Sequence, residues 1–83
     1  MSRVEPETSI HRFGEKLRAL RTQRGLTLQQ LAPALGLSAH GYISELETGK
    51  KIPTVEIVLR AAQFFNVSTD QLLKDELEVV KEK

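Results

Sequence analysis

Gly25, Gly36 and Gly49 cut this chain into helical pieces of two or three turns, and that punctuation limits the folds open to it. Before the first cut, Ile10, Phe13, Leu17 and Leu20 recur at three- and four-residue steps, the spacing of one helix face, and Ser9 or a neighbour can cap that helix. Thr27 caps a second helix, with Gln30 completing the Thr-x-x-Gln capping box ahead of Leu31, Ala32 and Leu35. A third is expected from Ala39 to Glu47, with Ile43 and Leu46 inward, after a connection of about three residues. Pro53 and Thr54 open a fourth, whose stripe reads Val55, Val58, Leu59, Ala62 and Phe65 and whose left-handed stop is Asn66. Ser68 or Thr69 begins a fifth, carrying Leu72, Leu73, Leu77 and Val80 between charged residues.

The fold class is therefore all-α, five helices around one core. With 83 residues and 40% apolar content there is room for one domain and no second. Residues 1–8 lack periodicity, contain Pro6 and read as a flexible arm; residues 9–74 form the domain; residues 75–83 read as a helical extension and a candidate dimer contact. Pro33 conflicts with the second helix, because it removes a donor and crowds the Gln29 carbonyl; a kink or a loosened first turn is expected.

Cysteine is absent, which excludes disulfides, thiolate metal sites and cysteine nucleophiles and makes the cytoplasm the expected compartment. No apolar run approaches the roughly 20 residues of a membrane span. The net charge of +1 hides a gradient: residues 1–24 hold six basic and three acidic residues, residues 25–66 three of each, and residues 67–83 three basic and five acidic. One basic face is open to such a chain, a uniformly basic surface is not.

An enzyme needs a nucleophile, an acid–base pair or a metal cluster in a pocket. His40 and Ser44 share a helix face, but on a convex, exposed helix without loops to build a cavity, and His11 is isolated. The chain reads as no enzyme, with no metal and no cofactor. Two short helices joined by a glycine-containing turn fit a DNA major groove, yet bundles that bind nothing show the same pattern.

The segment from Phe13 to Leu73 resembles the lambda-repressor-like (Cro/CI, Xre) helix-turn-helix family. The resemblance rests on Leu17-Arg18-x-x-Arg21-x-x-Arg24-Gly25-Leu26-Thr27, on Gln30-Leu31-Ala32-x-x-Leu35-Gly36-Leu37-Ser38, and on Tyr42-Ile43-Ser44-x-Leu46-Glu47-x-Gly49-Lys50-x-x-Pro53. It continues through Leu59-x-x-Ala62-x-x-Phe65-Asn66-Val67-Ser68-x-Asp70-x-Leu72-Leu73. Three departures stand out. The segment before Tyr42 is one residue longer than the family pattern, Leu28 replaces a frequent glutamine whose contact would fall to Gln29, and Pro33 replaces a helix former.

The resemblance implies that helices two and three form the helix-turn-helix, that residues 39–47 read duplex DNA, and that base reading falls on His40, Gly41 and Glu45, with Tyr42 and Ser44 beside them. His40 can donate to a guanine acceptor or a phosphate, and Glu45 can accept from the cytosine amino group. Gly41 has no side chain, which would let the backbone approach the duplex. Tyr42 can bond a phosphate or pack on a thymine methyl, or it can sit at the core edge. Lys50 and Lys51 follow the recognition helix where cations reach phosphate; Arg18, Arg24, Thr48 and Gln29 are further phosphate candidates. Arg21 and Glu47 are implied as a structural ion pair.

The expected function is sequence-specific binding of double-stranded DNA by a homodimeric transcriptional regulator, read as a repressor. Leu73, Leu77, Val79 and Val80 exceed what a short terminal helix needs for its own core and are the expected dimer interface. The competing expectation is a protein-interaction module, such as the antitoxin of a toxin pair, with DNA binding secondary.

Overall fold

The structure, a computed structural model, describes residues 12–74 together with Leu77 and Val79. Five helices follow one another: α1 (Phe13–Gln23), α2 (Leu28–Ala34), α3 (Gly41–Glu47), α4 (Val55–Phe65) and α5 (Thr69–Leu73), with no strand among the described residues. Helix α1 packs on α3 and α5, α2 on α3 and α4, and α4 on α5. Phe13, Leu17, Leu31, Leu35, Ile43, Leu46 and Leu72 are the large apolar side chains at the centre of the core.

The local signals act where the sequence places them. Gly25, Gly36 and Gly49 all have positive φ and end α1, α2 and α3. In α2 the Gln30 amide donates to Thr27 Oγ1 at 3.0 Å while the Thr27 amide donates to Gln30 Oε1 at 2.8 Å, a closed capping box. Ser68 and Gln71 repeat it at α5. Thr54 caps α4, and Asn66 ends that helix at φ 57° and ψ 48°.

Five expectations need correction. Helix α1 starts at Phe13 behind Arg12, which makes no side-chain cap; Ser9 and Ile10 lie outside the described residues. Helix α3 starts at Gly41, not Ala39, so residues 35–40 all lie between α2 and α3. Its N-cap, His40, has helical φ and ψ and makes no side-chain cap, so nothing pulls Ala39 into a first turn.

The buried stripe of α4 is Ile57, Val58, Ala61, Ala62 and Phe65, while Val55 and Leu59 are 77% and 48% exposed. Both stripes obey helical spacing, and packing against α2 and α5 selects the first.

Pro33 leaves the first turn of α2 intact, with its capping box and the 3.0 Å Leu31 amide to Thr27 carbonyl bond. The helix ends at Ala34, one residue past Pro33, and the amides of Leu35 and Gly36 bond to the Ala32 and Pro33 carbonyls in tight three-residue turns ahead of the positive φ of Gly36.

Helix α5 does not run on through Leu77. Lys74 is extended (φ −90°, ψ 118°), and Leu77 and Val79 lie in bends. Lys16 meets the chain where the helix ends. Its side chain, 1% exposed, lies on the apolar stripe of α1, and its ammonium donates to the carbonyls of Gln71 and Lys74 at the end of α5. Val80 lies outside the described residues, as does the arm proposed for residues 1–8.

Candidate nucleic-acid interface

Helix α3 buries Ile43 and Leu46 and turns Gly41, Ser44, Glu45 and Thr48 away from the core. Those four stand at steps of three and four residues and form one ridge. His40, exposed, stands at the head of the ridge.

Helix α1 holds α3 in place by two contacts near its C-terminal end. Gly14 is buried against α3, and a Cβ built there would lie 2.1 Å from the Leu46 carbonyl oxygen and 2.8 Å from that of Glu47. One face along α1, two turns later, Arg21 grips Glu47 through Nε to Oε2 at 2.7 Å and Nη2 to Oε1 at 3.1 Å, with Nη1 on the Leu26 carbonyl at 2.9 Å. The paired side chains are 14% and 7% exposed. Donating to the Glu47 carboxylate raises the Arg21 pKa above its ordinary value, against the opposing effect of burial. The guanidinium ties α1, the loop before α2 and the end of α3 into one unit, so the ridge has a fixed orientation.

Around the ridge, Gln29 and His40 line one shallow cleft with Pro33, Leu37 and Ser38, and a second with Arg21 and Leu26 to Leu28. The start of α2 and the entrance to α3 are thereby neighbours. Lys50 and Lys51 are exposed just past Gly49, their backbone amides bonded to the Glu45 carbonyl at 2.8 and 3.2 Å. Arg18 shares the α1 face of Gly14 and Arg21, which points toward α3.

Three candidates are engaged elsewhere. Arg24 donates from Nη2 to the Phe65 carbonyl at 3.3 Å and stands 5.3 and 5.8 Å from the Phe65 and Phe64 ring centroids, at the end of α4. The Thr48 hydroxyl donates to its own helix, to the Ser44 carbonyl at 3.0 Å. Tyr42 is half-buried against the core, as is Leu28.

Of the expected dimer residues, Leu73 and Val79 are half-buried against the chain's own core and Leu77 is 36% exposed.

Sequence reasoning missed Gly14 and Lys16. Both occupy the inward face of α1 with Phe13, Leu17 and Leu20. A glycine and a lysine on an apolar stripe are the signal that could have drawn attention to them. Among the described residues no group of three or more His, Cys, Asp and Glu is placed to hold a metal, and no helix is long and apolar enough to cross a membrane.

Residues 17–72 match the family model described as helix-turn-helix. The chain belongs to the lambda-repressor-like helix-turn-helix family.

Among its helix-turn-helix relatives is the prophage-derived transcriptional regulator YonR of Bacillus subtilis, 39% identical over 62 residues that make up 75% of this chain and 56% of the relative. The transcriptional activator BcrR of Enterococcus faecalis is 44% identical over 64 residues, 77% of this chain and 31% of BcrR. The chain thus spans about half the length of the first relative and less than a third of the second. Among solved structures, the P22 c2 repressor in complex with a synthetic operator matches with a TM-score of 0.71 and 28% identity, covering 77% of this chain and 96% of that one.

Proposed function

We propose that this helix-turn-helix chain binds double-stranded DNA sequence-specifically, as a cytoplasmic homodimeric transcriptional regulator acting as a repressor. One observation carries the reading: the outward ridge Gly41, Ser44, Glu45 and Thr48, headed by His40, is held rigidly by the Arg21–Glu47 pair and the Gly14 contact. A preorganised ridge of small and polar side chains on a short helix suits the major groove. In this reading His40 and Glu45 read base edges, with Ser44 between them. Lys50 and Lys51, with Arg18 and the Gln29 backbone at the start of α2, bond phosphates on either side.

The family likeness supports duplex binding, and the P22 c2 repressor was solved on an operator. For the dimer, support comes from exposed apolar side chains: Val55 and Leu59 on α4 line a groove with Pro53, Val58 and Leu73, and Leu77 is exposed as well. The interface read from the sequence, Leu73, Leu77, Val79 and Val80, is thereby extended onto α4. A two-fold axis through this patch would present two recognition helices to a palindromic site.

The test is duplex binding followed by fluorescence anisotropy as salt is raised. Affinity that falls steeply with ionic strength and favours a selected duplex over a shuffled one is expected. Sequence-indifferent retention at low salt alone would overturn the reading.

A further inference from the structure

Helix α1 is held to α3 on one side and to α5 on the other. Gly14 lies against the Leu46 and Glu47 carbonyls at the end of α3, and Arg21 adds a second hold there through the Glu47 carboxylate. Lys16 donates to the Gln71 and Lys74 carbonyls at the end of α5. Gly14 and Lys16 stand about 160° apart around the helix, at opposite edges of its buried face. Helix α1 is therefore a strut between the outward ridge of α3 and the end of α5.

What Lys16 holds is the backbone of the apolar patch. Its two acceptor carbonyls bracket Leu73, which walls the groove with Val55 and Leu59, and the Lys74 carbonyl also accepts from the Leu77 amide at 3.0 Å. Filling space does not account for a lysine at this position. It is 1% exposed on an apolar stripe, where an uncharged chain of the same length would pack without the cost of desolvating an ammonium. Hydrogen bonds to two carbonyls do what packing alone does not, because they fix the direction and distance of the backbone they hold.

We propose that Lys16 is a positioning residue for half-site spacing. By locking the end of α5 to α1 it fixes the apolar patch relative to α3, and so sets the separation and phase of the two recognition helices in a dimer. This rests on the reading that the chain binds a palindromic site as a homodimer through that patch. Each base pair added between half-sites rotates one against the other by about 35°. A rigid dimer accepts one spacing, and a dimer with a loosened joint accepts several.

The experiment uses the half-site that the wild-type chain selects, presented singly and as palindromes with the selected spacing, one base pair more and one base pair fewer. Lys16→Met keeps length and packing without the charge, and Lys16→Arg keeps a cation able to donate to both carbonyls. Gln71 is half-buried and Lys74 exposed, so water can reach the carbonyls freed in Lys16→Met and the fold should survive, which thermal unfolding checks in parallel. Wild type is expected to bind the selected spacing about tenfold more tightly than its two neighbours. Lys16→Met is expected to bind the single half-site as wild type does and all three palindromes nearly alike, and Lys16→Arg to restore the preference.

A wild-type spacing preference in Lys16→Met would overturn the inference, as would loss of single half-site affinity in step with the palindromes, the mark of a merely structural role. A folded Lys16→Arg that lacks the preference would overturn it too, and carries the test alone if Lys16→Met does not fold. Absence of any spacing preference in wild type would instead overturn the homodimer reading itself.

Discussion

The α carbon of Gly14 lies so close to the Leu46 carbonyl oxygen that even a methyl group between them would stand 2.1 Å from that oxygen. The close approach sets the crossing of α1 over the end of the recognition helix. Gly14→Ala gains helix propensity of about 1 kcal/mol but must push the backbones apart. We expect a net destabilisation of about 2 kcal/mol, within the usual range for overpacking, read from chemical denaturation midpoints. Weaker duplex binding should accompany it, because the ridge is displaced.

The Arg21–Glu47 pair makes a stability prediction of its own. Both side chains are largely buried and bidentate, so Arg21→Ala leaves a carboxylate without its partner and should cost about 3 kcal/mol. The loss should be equal across the neutral pH range as far as Arg21 is concerned. A raised folded pKa gives stability that is fully present below the unfolded value and lost only above it, and an arginine never titrates in that range. Denaturation of Arg21→Ala near the wild-type midpoint would contradict the pair's structural role.

Lys50 and Lys51 are exposed beyond Gly49, and the proposed reading gives them phosphate contacts, which carry no sequence information. Replacing each by alanine should weaken binding to all duplexes alike. The slope of log affinity against log salt should become shallower by about 0.9 for each phosphate contact removed. A change in the preferred sequence would move these lysines from phosphate to base contacts.

The exposed apolar patch on α4 predicts self-association. Leu59→Glu places a charge on a 48%-exposed position, so it should leave the isolated fold intact while shifting sedimentation toward monomer. Affinity for a full palindromic site should fall far more than affinity for a half-site. A wild-type chain that sediments as a monomer at micromolar concentration would remove the dimer from the account.

The helix count, the glycine and asparagine stops and the Thr27–Gln30 capping box were legible because each is set by residues adjacent in sequence. What escaped depends on contacts between distant segments. The role of Lys16 emerges only once α5 supplies two carbonyls for its ammonium. Gly14 reads as a weak point in a helix until α3 is packed on it. In α4, Val55 and Ile57 are equally good inward residues by spacing, and only the neighbouring helices choose Ile57. At the interface, the entrance to α3 was displaced because no side chain caps it, which moves Ala39 out of the helix and leaves Gly41 as its first residue. Arg24, a phosphate candidate in the sequence, donates to the Phe65 carbonyl at the end of α4.

The central claim is that the outward ridge of α3 reads bases, and selection from a pool of random duplexes with wild type and with Glu45→Ala tests it most directly. The account predicts that wild type enriches a palindrome whose half-sites lie about one helical turn apart, and that Glu45→Ala changes the preference at one position in each half-site. No enrichment by wild type, or an enriched sequence that Glu45→Ala leaves unchanged, would contradict it.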